Sequence, residues 1–447
     1  MTTGISRSQR ITLALVCAVA VSTIYAIQPV LEKAGGDLGL AAGSLGWLVA
    51  AGQIGYFAGL VLLVPLGDVL NRRRLIGAQL MLTGVGALAV ALAPTTVVAL
   101  IGLAIAGVFA VVVQVTVAYA AAVSAPEERG RTIGAVTSGV VLGILGVRIL
   151  AGVLGDTIGW RAVYAVLALL CLLLALTARI ILEPDPRSAG VQFFRALGSM
   201  ARLVRTDRLF LSRGLIAFFL FAAFGTLWSG LALPLGAAPW HFGSTAIGLF
   251  GFAGLAGALG ASRAGRWADS GRAQAISGWS LALLAVSWLL IAQSEPTLWF
   301  LIAGIVLLDF AVQAVHVSSQ HLLTTAHPDH ASTVIGAYMS FYSLGSALGA
   351  LTTAWAYSTR GWWASCVIGA LYSTCALAIW GLARWIQRSA DRRVVSELAC
   401  AAIFTPNASR GGGGGRDAQA GGILRRIPDS AEAGGRRDGC RVSGTGP

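Results

Sequence analysis

The chain has 447 residues, 56% of them hydrophobic and only 11% charged, with 32 basic and 19 acidic side chains for a formal net charge of +13. Soluble domains carry roughly a quarter charged residues, and so apolar a chain in water would expose large aggregation-prone patches. Composition therefore excludes an ordinary soluble enzyme, and the basic excess is read below as topology, not as a nucleic-acid footprint.

Apolar runs of about 20 residues, enough to cross a ~30 Å hydrocarbon core, recur at 11–31, 45–66, 75–93, 97–124, 132–155, 161–182, 211–235, 245–264, 274–293, 297–325, 333–358 and 362–386. They predict an all-α membrane protein with 12 transmembrane helices. The first run follows Arg7 and Arg10 as a secretory signal would. At about 21 residues it is too long for a signal core and lacks a small-residue cleavage site, so it is expected to remain as the first helix.

Basic residues fall in alternate loops. Arg7, Arg10, Arg72–Arg74, Arg129, Arg131, the segment 183–213, Arg263, Arg266, Arg272 and the Arg384–Arg393 region lie on one side, against Lys33, Arg161 and Arg360 on the other. By the positive-inside rule both termini are expected in the cytoplasm, in a multi-pass protein of the cytoplasmic (inner) membrane. The six cysteines form no CxxC pair and no His-spaced cluster, which argues for neither a metal site nor a disulfide framework. No GxxxxGK[ST] loop is present, so a built-in ATPase is not expected; nor is any cofactor.

The chain repeats itself at an offset of about 202 residues. Gly159-Trp160 matches Gly361-Trp362, Pro126-Glu127 matches Pro328-Asp329, and Gly46, Gly52 and Gly55 match Gly248, Gly254 and Gly257. Two pseudo-symmetric six-helix halves follow, residues 1–182 and 211–386, joined by a polar linker, 183–210. The Gly- and Arg-rich tail 387–447 lacks the patterning to bury a core and is expected to be disordered. Parallel halves imply a cavity near the bilayer midplane, lined by symmetry by spans 1, 4, 7 and 10.

Charges inside a span cost about 2.5–3.5 kcal/mol each on insertion scales, so they default to function or to paired structure. Span 10 carries Asp309, Gln313, His316 and Gln320, at about 0°, 40°, 340° and 20° on a helical wheel, a stripe roughly 60° wide. Two readings stand: a hydrogen-bond ladder gluing the bundle, or a water-accessible path with a titratable carboxylate and imidazole. Arg148 is the one cation read inside a span. It needs an anion or water as partner, such as Asp309 or an anionic solute, unless it snorkels to the interface. Weaker cavity candidates are Tyr25 and Gln28 in span 1, Gln53 and Tyr56 in span 2, Gln114 and Tyr119 in span 4, and Trp228 in span 7. Each can equally be packing or an interfacial anchor.

The turn after span 2, Gly67-Asp68 with Arg72, Arg73 and Arg74, has a matching turn at Asp269 and Arg272. An acid at a helix C-terminus opposes the macrodipole. Asp68 therefore needs compensation from these arginines or from another helix start, which would make the turn a conformational latch between halves.

On these residues the chain resembles the major facilitator superfamily, in its drug/metabolite efflux-like twelve-span branch. The resemblance rests on Tyr25-x-x-Gln28-Pro29; Gln53-x-Gly55-Tyr56 running to Val64-Pro65-Leu66-Gly67-Asp68 and Arg72–Arg74; Gln114; Ala125-Pro126-Glu127-Glu128-Arg129-Gly130-Arg131; and Gly159-Trp160-Arg161. In the second half it rests on Gly248-Leu249-Phe250-Gly251, Gly265-Arg266-x-Ala268-Asp269 and Asp309-x-x-x-Gln313-x-x-His316. It implies alternating access by rocking halves and proton-coupled efflux of a small organic solute, with uptake by symport as the alternative and a non-transporting sensor as a remote one. The sequence departs from the family pattern at Val69, at Asn71, and at Val147-Arg148, where span 5 usually carries a Gly-Pro kink. Proton coupling then falls to Asp309 and His316. The expected partners are the solute, protons and lipid, with one copy of the chain sufficing.

Overall fold

The computed structural model describes residues 5–68, 70–125, 128–183, 193–260, 273–294, 297–327 and 331–404. Among these residues there is no strand. The first half comprises α1 (Arg7–Asp37), α2 (Ala42–Gly67), α3 (Arg72–Ala91), α4 (Thr96–Val123), α5 (Arg129–Thr157) and α6 (Trp160–Ile181). A linker helix, Phe193–Thr206, follows. The second half holds α7 (Arg208–Gly236), α8 (Ser244–Gly260), α9 (Ala273–Ile291) and α10 (Leu298–Ala326). The helical segment Ala331–Phe404 is broken at Gly361 into α11 (331–360) and α12 (from 362). Twelve apolar helices are thus present among the described residues, as the hydropathy predicts. One compact unit covers Met1–Gly381 and a second begins at Leu382. The helical run reaches Phe404, into the stretch whose composition suggested no fixed structure; residues 405–447 lie outside the described residues.

Local chemistry sets the helix ends. Ser6 and Gln9 form a reciprocal capping box at the start of α1. Asn71, Thr95 and Asp207 accept backbone N–H groups at the starts of α3, α4 and α7. In α1 the α-helix stops at Tyr25 and resumes at Leu31 after a 3-10 turn, Gln28–Val30. Pro29 has no N–H to give the carbonyl four residues back, and the break leaves Tyr25 and Gln28 in the buried core. Further breaks occur at Val111, Leu231 and Phe250.

The repeat seen in sequence is a repeat of contacts. A Cβ on Gly46 would collide with the Ala350 carbonyl, and one on Gly248 with the Arg148 carbonyl. A Cβ on Gly55 would meet the Ala104 carbonyl, and one on Gly257 that of Val306. Each pair and its mate are related by the same offset. The α2–α11 crossing therefore mirrors α8–α5, and α2–α4 mirrors α8–α10. Gly159 (φ 108°) and Gly361 (φ 73°) both hold positive φ at the joints before Trp160 and Trp362, a conformation that glycine reaches without a Cβ clash.

We call the end of the bundle where α1 begins proximal and the other end distal. Trp47, Trp299, Trp355 and Trp363 lie exposed near helix ends on the distal side, the position of an interfacial aromatic belt.

Candidate functional site

A cavity of about 970 Å³ occupies the middle of the bundle, at the large end of the range for small-molecule sites. Helices α1, α4, α7 and α10 contribute to its wall as symmetry predicted, and α2, α5, α8 and α11 contribute as well. It runs from Tyr25, Arg148 and Asp309 at mid-depth to Gly67, Ser138 and Thr324 near the proximal end, where Gly134 and Ser138 of α5 are exposed.

At mid-depth two opposite charges sit close without an ion pair. Arg148 is 2% exposed and Asp309 6%. The guanidinium sits over Trp228, its Cζ 3.5 Å from the ring centroid, a cation–π contact strengthened by desolvation. Arg148 Nη2 donates to Gln28 Oε1 at 3.3 Å, while Nε has no hydrogen-bond partner. Asp309 Oδ2 and the Trp228 indole nitrogen are likewise buried without a well-formed hydrogen bond.

All four polar residues of the α10 stripe face this cavity. His316 links two helices: its Nδ1 is 3.1 Å from the Tyr338 hydroxyl of α11, and its Nε2 is 3.1 Å from Gln320 Nε2 one turn on. Phe221 of α7 packs edge-on to the imidazole at 5.2 Å. On the opposite wall Gln114 Nε2 donates to the Tyr56 hydroxyl at 3.3 Å.

The distal side is held shut by contacts between the halves. Asp156, at the end of α5, accepts from the backbone N–H groups of Ser244 (3.0 Å) and Thr245 (2.7 Å) at the start of α8. It also pairs with Lys33 Nζ at 2.5 Å. A carboxylate there satisfies orphan N–H groups and complements the helix dipole. Closer to the cavity the Tyr25 and Tyr342 hydroxyls bond to each other, and Ser343 Oγ donates to the Gln53 carbonyl at 2.5 Å.

A profile described as Major Facilitator Superfamily matches residues 12–350. The chain belongs to the Major Facilitator Superfamily. It is 37% identical over 368 residues to the uncharacterized transporter YgaY of Escherichia coli O157:H7, covering 82% of this chain and 93% of that one. It is 33% identical over 359 residues to the transporter SCO4007 of Streptomyces coelicolor, covering 80% and 83%. Among solved structures, a bacterial homologue of the human lysosomal transporter Spinster, inward-facing and occupied, shares the fold. Its TM-score is 0.72 at 16% identity, covering 84% of this chain and 96% of that one. The human organic anion transporter MFSD10 follows with a TM-score of 0.63 at 19% identity, covering 84% and 99%.

As a member of the superfamily the chain is a multi-pass membrane transporter and not an enzyme. Of the residues singled out from sequence, Tyr25, Gln53, Tyr56, Gln114, Arg148, Asp309, Gln313, His316 and Gln320 reach the cavity wall. Gln28 and Trp228 stand behind it, as the supports of Arg148. Tyr119 is turned away, donating to the Glu183 carbonyl at the start of the linker. Gly67 and Arg72 line the proximal mouth, with Arg72 Nε donating to the Gly67 carbonyl at 2.8 Å. Arg73 donates to the Arg179 carbonyl, and the Arg74 backbone N–H is taken by Asn71 at 3.2 Å. The Asp68 side chain, Asp269 and Arg272 lie outside the described residues, as does the latch that rests on them. Sequence reasoning missed Asp156, Tyr342 and Ser343, and counted Arg213 with the basic segment 183–213 on the cytoplasmic side. Arg213 is a buried residue of α7 that donates to Ser277 Oγ at 3.1 Å, so Arg148 is not alone as a cation within a span.

Proposed function

We propose that this transporter moves a small organic solute through the central cavity by alternating access, coupled to protons through Asp309. The carrying observation is the buried Asp309 carboxyl, on the cavity wall, without an ion pair, beside a buried arginine. Glue between helices does not need an unpaired acid, whereas a coupling site needs one that can take and release a proton as access changes. His316, with both ring nitrogens engaged, supports the shape of the wall and is the second candidate for proton transfer. The distal closure and the proximal mouth together support an inward-facing arrangement, with the proximal end cytoplasmic on the strength of its basic residues. The cavity is complete within one chain, which supports a monomeric transporter.

Direction turns on the sign of coupling. When Asp309 takes a proton, the site gains one positive charge, which favours an anionic solute moving with the proton: symport. Export by antiport is the second reading, favoured by the Gly67-Asp68 and Arg72–Arg74 turn that this chain shares with the efflux-like branch. Purified protein in vesicles, screened against candidate solutes with the pH gradient imposed in each direction, separates the two. Symport gives solute accumulation on the alkaline side, and antiport gives accumulation on the acidic side. Flux indifferent to both gradients removes proton coupling altogether.

A further inference from the structure

We infer that the solute is an organic anion with an apolar or aromatic body, bound through its carboxylate to Arg148; this rests on the central cavity being the transport site. The first observation is charge. Among the described residues, the charged side chains on the cavity wall are Arg72 and Arg148 against Asp309, with His316 and His321 as its imidazoles. Arg72 is already engaged by the Gly67 and Ala118 carbonyls at the proximal mouth, whereas Arg148 has one neutral acceptor, Gln28, and a bare Nε. Buried cations are stable only when paired and hydrogen-bonded, and the guanidinium fork matches a carboxylate.

The second observation is the internal repeat, which supplies a built-in control. Arg148 packs its backbone against Gly248 just as Ala350 packs against Gly46. The same helix crossing therefore forms with alanine in place of arginine. Asp309 likewise corresponds to Gly107, each at the crossing of its half's second and fourth helices, where Gly107 approaches the Gly52 backbone and Asp309 approaches Gly254. Packing requires neither charge, so both are present for something the packing does not explain. The third is the wall itself. Trp228 backs the guanidinium, and Tyr25, Phe221, Phe224 and Tyr342 line the space beside it. That surface, around 970 Å³, suits an organic body and is far larger than an inorganic anion needs.

Proton linkage follows in sign. Among the described residues, the charged group acting on Asp309 is Arg148 of α5, while Tyr25 of α1 and His316 of its own helix share the cavity wall with it. Helices α7 and α8 bring the Trp228 indole and Gly254 and Gly257 against it. A proton on Asp309 removes the nearest competitor for Arg148, so anion affinity rises as pH falls, and by reciprocity a bound anion favours protonation.

The test uses the full chain in detergent and in vesicles, with benzoate and 1-naphthoate as probes, each beside its amide and its corresponding amine. Expected is binding of the carboxylates at least about tenfold tighter than of the amides or amines, weakened at least about tenfold by Arg148→Gln and only partly kept by Arg148→Lys, which holds the charge but not the fork or the stack. Asp309→Asn is expected to bind carboxylates at least as tightly as the unmodified protein at acidic pH, with no pH dependence left. The preference for carboxylate over amide is read on the unmodified protein, so an unstable variant does not remove the test. Binding of amides or amines in preference to carboxylates, carboxylate binding unchanged in Arg148→Gln, or no carboxylate binding at millimolar concentration overturns the assignment. Proton-driven flux of an amine that needs Asp309 but not Arg148 also overturns it, while leaving proton coupling in place. Carboxylate binding that needs Arg148 yet ignores pH and Asp309 supports the anion assignment and removes the coupling.

Discussion

His316 and Asp309 are seven residues apart on one face of α10, yet their surroundings give them different work. The imidazole is tied at both nitrogens, to Tyr338 and to Gln320, whereas Asp309 Oδ2 is bound by neither. His316→Ala is therefore expected to slow flux, by up to about tenfold, through loss of a positioned polar pair, and to leave the response to a pH gradient intact. Flux assays with and without the gradient check this; loss of the gradient's effect would move the coupling proton to the imidazole. The stripe itself was legible in sequence, because polar residues at helical spacing in an apolar span mark a face turned away from lipid. Tyr342 and Ser343 were not legible. A tyrosine and a serine in an apolar helix carry no such signal, and their partners, Tyr25 and Gln53, are some 300 residues away in the chain.

At the scale of elements, the crossings of α2 with α11 and of α8 with α5 rest on glycine backbones in contact. Gly248→Val is expected to force α8 off α5 and destabilise the closed distal side, by about 1–3 kcal/mol, read as a lowered melting temperature. Gly46→Val should act comparably at the mirrored crossing; a loss at only one of them would contradict the equivalence of the halves. Asp156 joins the same surface from the end of α5. Asp156→Asn keeps the size but loses the charge that Lys33 and the α8 start share. It is expected to raise the labelling rate of a cysteine placed in the distal half of the cavity, at Ile24 for example. An unchanged rate would mean that this contact does not hold the distal side. The helices were legible as runs of hydropathy, and the Pro29 break had a cause in the sequence. The Leu231 break has the same kind of cause, Pro234, which has no N–H for the Gly230 carbonyl; the breaks at Val111 and Phe250 had none, since no proline marks them. Asp156 was equally hidden: an acid at a helix C-terminus looks unfavourable until folding brings the start of α8 against it.

For the molecule as a whole, the halves share a scaffold and differ in charge. The offset of about 202 residues that relates Gly46 to Gly248 also sets Arg148 opposite Ala350 and Asp309 opposite Gly107. The symmetric part builds two related halves around one cavity, and the asymmetric part supplies the groups that a solute and a proton would use. Family and fold were legible because both depend on repeated local patterns. Solute and direction were not, because they depend on a pair of side chains meeting across the halves. The proton at Asp309 is the claim on which the rest depends, and pH-gradient-driven flux in vesicles, unmodified protein against Asp309→Asn, tests it most directly. The gradient is expected to drive the solute in the unmodified protein and to have no effect in the variant, which still binds solute. Undiminished gradient-driven flux in Asp309→Asn would contradict the account.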